Sequence, residues 1–140
     1  MPRLWKGSTT VKVGFDLDGT LDKPSLSLLA QALLNAGHEV HIITSHFKEG
    51  GDWQSPASKR EKLARLSLRA SVDLQPGWCQ LHILDAVDAS FPLEYRLRDL
   101  GLRKGEMCER LGISVFFDDS PTFCDVFRLM NGATTMLQVR

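Results

Sequence analysis

Apolar residues in this chain fall into short runs separated by stretches of helical period. Val11, Val13 and Phe15 form the first run, a strand that stops at Asp16-Leu17-Asp18-Gly19-Thr20, where Gly19 suits a sharp turn. Ser25 is placed to cap a helix. Its Leu26, Leu29 and Leu33 share one face, Leu28 and Ala32 lie beside them, and Gly37 marks the C-terminal stop. Val40-His41-Ile42-Ile43 reads as a second buried strand ending at Thr44-Ser45-His46. The Gly- and Ser-rich stretch from Phe47 to Ser58 reads as a loop. Within it, Ser55-Pro56 fits an N-cap followed by proline at the first helical position. That helix is expected to run to about Ala70, with Leu63, Leu66 and Ala70 facing inward. A turn at Gln75-Pro76-Gly77 leads into a third strand, Cys79 to Leu84. Two short helices are expected next, over 92–100 and 104–111, the second closed by Gly112. Ile113 to Phe117 is a strongly apolar fourth strand ending at Asp118-Asp119-Ser120-Pro121. A helix over 122–130, stopped by Asn131-Gly132, and a fifth strand from Thr134 to Val139 complete the pattern.

Strands that alternate with helices in this way predict an α/β, three-layer Rossmann-like fold with a parallel sheet of about five strands. A length of 140 residues predicts one domain spanning residues 1–140, large enough to bury a core. No internal repeat or low-complexity segment interrupts it.

Composition narrows the function classes. Lys and Arg number 17 and so do Asp and Glu, which argues against a generally basic nucleic-acid binder and against an acidic disordered tail. No apolar stretch is long enough for a membrane span, and Met1 to Thr10 holds no apolar signal core, so a cytoplasmic location is expected. The three cysteines, Cys79, Cys108 and Cys124, are odd in number and form no C-x-x-C pair. Reduced, mostly buried thiols are expected, not a disulfide framework or a zinc site.

Polar residues gather at the C-terminal ends of three strands: Asp16 and Asp18, Thr44 and Ser45, Asp118 and Asp119. In an open parallel sheet these ends share one edge, where ligands bind. Four carboxylates at one edge repel each other, and a divalent cation relieves that repulsion. Hard oxygen ligands favour Mg²⁺. A carboxylate kept ionised in this way can act as a nucleophile. Lys104 offers a further positive charge, and the Thr44 hydroxyl with backbone N–H groups can hold phosphoryl oxygens. The set suits phosphoryl transfer, which depends on positioning and charge neutralisation. Each segment alone also reads as a turn, a loop or a helix cap; their joint order at strand ends carries the functional reading.

Val13-Gly14-Phe15-Asp16-Leu17-Asp18-Gly19-Thr20-Leu21 resembles the first motif of the haloacid-dehalogenase-like hydrolases, apolar residues followed by DxDGT. Ile42-Ile43-Thr44 is similar to the second motif, Lys104 to the third, and Val115-Phe116-Phe117-Asp118-Asp119 to the fourth, in the expected order over about residues 11 to 139. The resemblance implies a Mg²⁺-dependent phosphatase acting on phosphomonoesters. Asp16 would be the nucleophile that forms an aspartyl-phosphate. Asp18 would be the general acid and then the base, and would offer its backbone carbonyl to the metal. Thr44, with Ser45 beside it, and Lys104 would bind the phosphoryl group. Asp118 would ligate the metal directly, and Asp119 would support the metal or Lys104. An Asp at position 18 marks phosphatases and phosphotransferases within the superfamily, because an alkoxide leaving group needs a proton and a halide does not. A phosphotransferase and a Mg²⁺-binding regulatory module with little turnover remain the alternatives. The short interval between Asp18 and Ile42 leaves no room for a substantial cap domain. An uncapped site implies a phosphorylated substrate that can be macromolecular, such as a phosphoprotein or a nucleic-acid end.

Other features admit two readings. Lys59, Lys62, Arg65 and Arg69, with Arg60 beside them, form a basic helix face that either guides a polyanion or is simply solvated. His46, Phe47 and Trp53 follow Thr44 and either line the substrate mouth or pack within the loop. His41 and His82 lie within strands and are expected to be buried and hydrogen-bonded, His38 to lie near a helix end, and Asp85 to cap the third strand.

Overall fold

In the computed structural model, which describes residues 10–50 and 55–140, six strands form one all-parallel sheet. In chain order the elements are β1 (Lys12–Phe15), α1 (Pro24–Asn35), β2 (Glu39–His46), α2 (Pro56–Arg65), β3 (Ala70–Ser71), β4 (Cys79–Asp85), α3 (Leu93–Leu111), β5 (Val115–Asp118), α4 (Pro121–Met130) and β6 (Thr135–Gln138). The strand order across the sheet is β3-β4-β2-β1-β5-β6. The architecture is the three-layer Rossmann-like one that the alternation of elements predicts.

The central strands are apolar at consecutive positions because both of their faces are covered. On one face Val13, Phe15, Val40, Ile42 and Leu81 pack with Ala30 of α1 and Leu63 of α2. On the other, Ile43 and Phe116 meet Cys108 of α3 and Phe127 of α4. Adjacent residues such as Ile42 and Ile43 thus serve opposite layers, as strand geometry requires.

Several elements differ from the sequence reading. The sheet has a sixth strand, β3, paired in parallel with β4 through Ala70 opposite Cys79 and Ser71 opposite Gln80. Two residues are too few to show a period. The helix opened by Ser55 and Pro56 ends at Arg65, not Ala70. Ser67 takes a positive φ of 61°, Leu68 turns into the core, and Ala70 joins the sheet. The two short helices expected over 92–111 are one continuous helix, α3. Gly101 and Gly105 lie inside it, against α4. A Cβ at Gly101 would lie 3.1 Å from Phe123, and one at Gly105 would collide with the Met130 thioether. Both glycines allow close helix packing and do not break the helix. In α1, Ser27 and Ala30 take the buried positions and Leu29 is exposed. That helix begins at Pro24 after Lys23, one residue ahead of Ser25.

The strand order reverses beside β1. The chain leaves β1 for β2 on one side, while β5 on the other side continues to β6. The helices that follow, α1 and α4, pack on opposite faces. This is the topology that leaves a crevice at the carboxyl ends of β1 and β5. Among the described residues no inserted domain covers that edge, since only short connections separate β1 from α1 and β4 from α3. No helix of the described residues is long and apolar enough to cross a membrane.

Candidate active site at the carboxyl edge of the sheet

Asp16 follows the last residue of β1. Its backbone N–H donates to the Phe117 carbonyl at 2.9 Å, which ties the end of β1 to β5. The chain then makes a tight turn over Leu17–Leu21 that buries Leu17, Thr20 and Leu21. Gly19 has φ +81°, its N–H donates to Asp22 Oδ2 at 2.9 Å, and a Cβ there would collide with the Asp119 carboxylate. Glycine is required on both counts, conformation and space. Asp118 ends β5, and its Oδ1 accepts from the Ser120 N–H at 2.9 Å, while the Ser120 hydroxyl caps α4 by accepting from the Phe123 N–H.

Lys104 reaches these acids from the middle of α3. Its Nζ lies 3.0 Å from Asp16 Oδ1 and 3.1 Å from Asp118 Oδ2, and its side chain has no exposed surface. The Phe123 ring lies against the ammonium, 4.3 Å from centroid to nitrogen. Among the described residues, the second oxygen of Asp16 has one hydrogen-bond partner, the Thr20 hydroxyl at a long 3.4 Å. Carboxylate oxygens of Asp16, Asp118 and Asp119 all lie within 4.8 Å of one another. Burial pushes the Asp16 carboxyl up to about 7 against the pull of Lys104, with Asp118 and Asp119 adding to the rise. Burial raises the Asp118 carboxyl as well, again against Lys104. Burial lowers and the two carboxylates raise the Lys104 ammonium, and the carboxylates prevail. Three carboxylates against one ammonium leave an excess of negative charge in a largely buried place. A cluster of hard oxygen donors with that excess could hold a hard divalent cation.

The Asp18 side chain does not join this group. Lys59 Nζ lies 3.1 Å from its Oδ2, and Lys62 Nζ lies 2.7 Å from its Oδ1 and 2.8 Å from Asp22 Oδ1. Burial would raise the Asp18 carboxyl, but hydrogen bonds and charge from Lys62 and Lys59 outweigh it and hold the group below its ordinary value. The basic helix face is therefore not one surface. Lys59 is 2% exposed and turned into the site, Lys62 joins it, Arg65 pairs with Glu61 on the exposed side, and Arg69 lies beyond α2 over the Trp78 ring. One signal in the sequence pointed to this: Lys59 precedes Leu63 by one helical turn, on the face that goes to the core.

A cavity of about 330 Å³ opens at this edge, lined by Asp16, Asp18, Thr44, Ser45, Phe47, Leu97, Asp119, Ser120 and Phe123. Thr44 is buried at the end of β2. The fold thus brings together Asp16, Asp18, Thr44, Ser45, Lys104, Asp118 and Asp119, all the residues that the sequence pattern singled out. Leu97, Ser120 and Phe123 were not foreseen, because nothing in the pattern around them distinguishes a cavity wall from a helix face.

The remaining candidates have structural roles. His46 Nδ1 lies 2.8 Å from Asp85 Oδ1, clipping the ends of β2 and β4 together. His41 and His82 are hydrogen-bonded to each other at 3.0 Å, and His41 also meets Glu39 at 3.1 Å. The Val11 N–H donates to His38 Nδ1 at 3.1 Å. Trp53 lies outside the described residues. The three cysteines are free and buried, and burial pushes Cys79 and Cys108 up to about 12, which makes them unreactive.

No protein-family model matches the sequence, and a search of curated proteins finds no match.

Proposed function

We propose that this chain is a Mg²⁺-dependent phosphatase of the haloacid-dehalogenase-like type, hydrolysing phosphomonoesters through Asp16. One observation carries the reading. Asp16 faces a cavity beside Asp18 and Thr44, while a fully buried lysine holds one of its oxygens and ties it to Asp118. Asp16, Asp118 and Asp119 would hold the Mg²⁺. The ion, when bound, supplies positive charge that lets these carboxylates and a phosphoryl group share one site.

The roles of the protein groups follow from their contacts. Lys104 occupies Asp16 Oδ1, so Oδ2 is the oxygen available to attack phosphorus. Attack forms the aspartyl-phosphate and breaks the bond to the leaving oxygen, which takes a proton from Asp18. Water then attacks the intermediate with Asp18 as base, giving inorganic phosphate and free Asp16. Lys59 and Lys62 hold Asp18 ionised, the form that accepts a proton from water. Donating one to the leaving group requires Asp18 first to take up a proton, which the grip of Lys59 and Lys62 opposes. The Thr44 hydroxyl and Ser45 lie where phosphoryl oxygens would sit. The uncapped edge allows a large substrate, and the three buried free thiols suit a cytoplasmic setting.

Phosphate release measured with and without Mg²⁺ tests the proposal, using nucleotides, sugar phosphates, phosphopeptides and 3′- or 5′-phosphorylated oligonucleotides. Release should depend on Mg²⁺ and fall at least about 10³-fold in Asp16→Asn. Release that is equal in Asp16→Asn would refute the assignment of the nucleophile. Phosphoryl transfer to an added alcohol in preference to water would make the chain a phosphotransferase.

A further inference from the structure

A second cleft, of about 370 Å³, lies between α2, the turn that follows it and the start of β4. The local chain builds it. α2 ends at Arg65, Ser67 takes its positive φ of 61°, and Leu68 goes into the core. Arg69 is thereby sent outward, and its guanidinium lies over the Trp78 indole, 5.7 Å from the ring centroid. Arg60 lines the same cleft from α2. Both arginines are exposed and Trp78 is half-buried. The one acid of α2, Glu61, is taken by Arg65 at 2.8 Å. Among the described residues no carboxylate pairs with Arg60 or Arg69. Two guanidiniums without a carboxylate and an indole therefore share one cleft, in a chain whose net charge is zero. A balanced total excludes a generally basic surface and leaves room for a local one.

We propose that this cleft binds single-stranded nucleic acid, with a base stacked on the Arg69–Trp78 pair and backbone phosphates on Arg60 and Arg69. A guanidinium matches a phosphate by bidentate, charge-assisted hydrogen bonds. A base of any identity has a π-face, which stacks on an indole or on the plane of a guanidinium. An acidic peptide would use the arginines and leave the indole without a matching ring. A duplex keeps its bases within its own stack. The cleft volume falls in the range of small-ligand pockets, so one nucleotide fits while the rest of the strand follows the surface. α2 connects the cleft to the catalytic edge, where its Lys59 and Lys62 hold Asp18. At a rise of about 3.3 Å per residue, β4 covers roughly 17 Å from Cys79, next to Trp78, to Leu84, opposite Ser45. On the phosphatase reading, on which this one extension rests, a strand held in the cleft can present its phosphorylated end to Asp16.

Fluorescence anisotropy of a labelled oligothymidylate of about eight nucleotides, a length within the usual site sizes of single-strand grooves, tests the cleft. A chelator is present, so that no metal at the catalytic edge contributes. The wild type should bind at low salt, with an affinity that falls as salt rises. In the double variant Arg60→Gln with Arg69→Gln, the slope of log Ka against log salt should become shallower by about 1.4, at about 0.7 per phosphate. Trp78→Leu should weaken binding about tenfold, and Trp78→Phe, which keeps a ring, should recover most of the loss. An oligomer of equal length without bases should bind the wild type about as weakly as oligothymidylate binds Trp78→Leu. Thermal unfolding checks that each variant is folded, and the base-free oligomer tests stacking without any substitution. No binding at low salt, or a slope unchanged in the arginine variant, would overturn the site. Equal binding of the base-free oligomer would overturn the stacking, and an oligoglutamate that binds as tightly would make the cleft an acidic-peptide site and overturn the proposal. Phosphate release from a small ester should be unchanged in the arginine variant. If the strand binds and no phosphoester is hydrolysed, the phosphatase reading fails and the cleft stands. If small esters are hydrolysed and the strand does not bind, only this inference fails.

Discussion

Replacing Lys104 by Met removes the charge at the centre of the site and keeps much of the side-chain volume. The ammonium lies 3.0 Å from Asp16 Oδ1 and 3.1 Å from Asp118 Oδ2, and the three side chains are at most 10% exposed. Met retains the apolar stem among Phe116 and Phe123, so the substitution isolates the electrostatic part. Taking away one member of a buried ionic cluster leaves uncompensated charge, at a cost of about 3–5 kcal/mol. That is a large part of the ~5–15 kcal/mol that holds a typical domain together. For a domain of this size it lowers Tm on the order of 10 °C. Urea unfolding at pH 7 measures it directly, once with a chelator and once with Mg²⁺. On the proposed reading, the variant, with one positive charge fewer among its carboxylates, would gain more from Mg²⁺ than the wild type does, so the difference between them should shrink. A double-mutant cycle with Asp118→Asn supplies the second check: the combined variant should be less destabilised than the sum of the singles by roughly 0.5–3 kcal/mol. A loss under about 1 kcal/mol for Lys104→Met, or strict additivity in the cycle, would show that Lys104 is not bound to these acids.

Three further outcomes follow from the geometry. Gly19→Ala should cost about 1–2 kcal/mol for the left-handed backbone and should weaken Mg²⁺ binding as well, because the new Cβ displaces the Asp119 carboxylate; unchanged Mg²⁺ affinity by calorimetry would contradict it. Lys59→Met should leave stability within about 1 kcal/mol, since it relieves a buried ammonium while Asp18, 41% exposed, keeps Lys62. Its kcat should nonetheless drop at least about tenfold, and wild-type turnover would show that the grip on Asp18 is irrelevant. Acid should weaken the fold through the paired histidines. Burial, with the charges of His41 and Arg110 adding, pushes His82 down to about 4, and burial lowers His41 despite Glu39. The unfolded chain takes up these protons near pH 6.5 and the folded chain does not. Stability is therefore complete above about pH 6.5 and declines toward pH 4, by at most about 1.4 kcal/mol per pH unit for each group. Urea midpoints from pH 7.5 to 4.5 should fall more steeply in the wild type than in His82→Gln, and parallel profiles would refute the assignment.

Much of the fold was legible because the strands at the centre of the sheet carry their own signal. β1, β2 and β5 lie at the centre of the sheet and are rich in buried apolar residues, and the flanking helices are opened by Ser55-Pro56 and Ser120-Pro121 or closed by Gly112. The edge strand β3 was not legible, since Ala70 and Ser71 are defined only by the partner they meet in β4. Gly101 and Gly105 misled for a related reason. Local propensity treats glycine as a helix breaker, whereas here α4 packs close, so a Cβ at Gly101 would crowd the Phe123 ring and one at Gly105 would displace the Met130 thioether.

By itself, the sequence determined which chemistry is available at the sheet edge. Asp16, Asp18, Thr44, Asp118 and Asp119 sit at strand ends, and in a parallel sheet all strand ends of one kind share an edge whatever the details of packing. The same argument cannot place residues that reach the edge from helices, because the direction of a helical side chain depends on which face the helix buries. Only the tertiary structure decided that Lys104 is wholly buried between Asp16 and Asp118 and that Lys59 turns inward onto Asp18 while Arg65 stays outside. Only it decided that the Arg96 guanidinium of α3 lies over the Phe47 ring. Those contacts join residues far apart in the chain, and they exist because the helices pack on the sheet in one particular rotation, which burial of the whole core fixes.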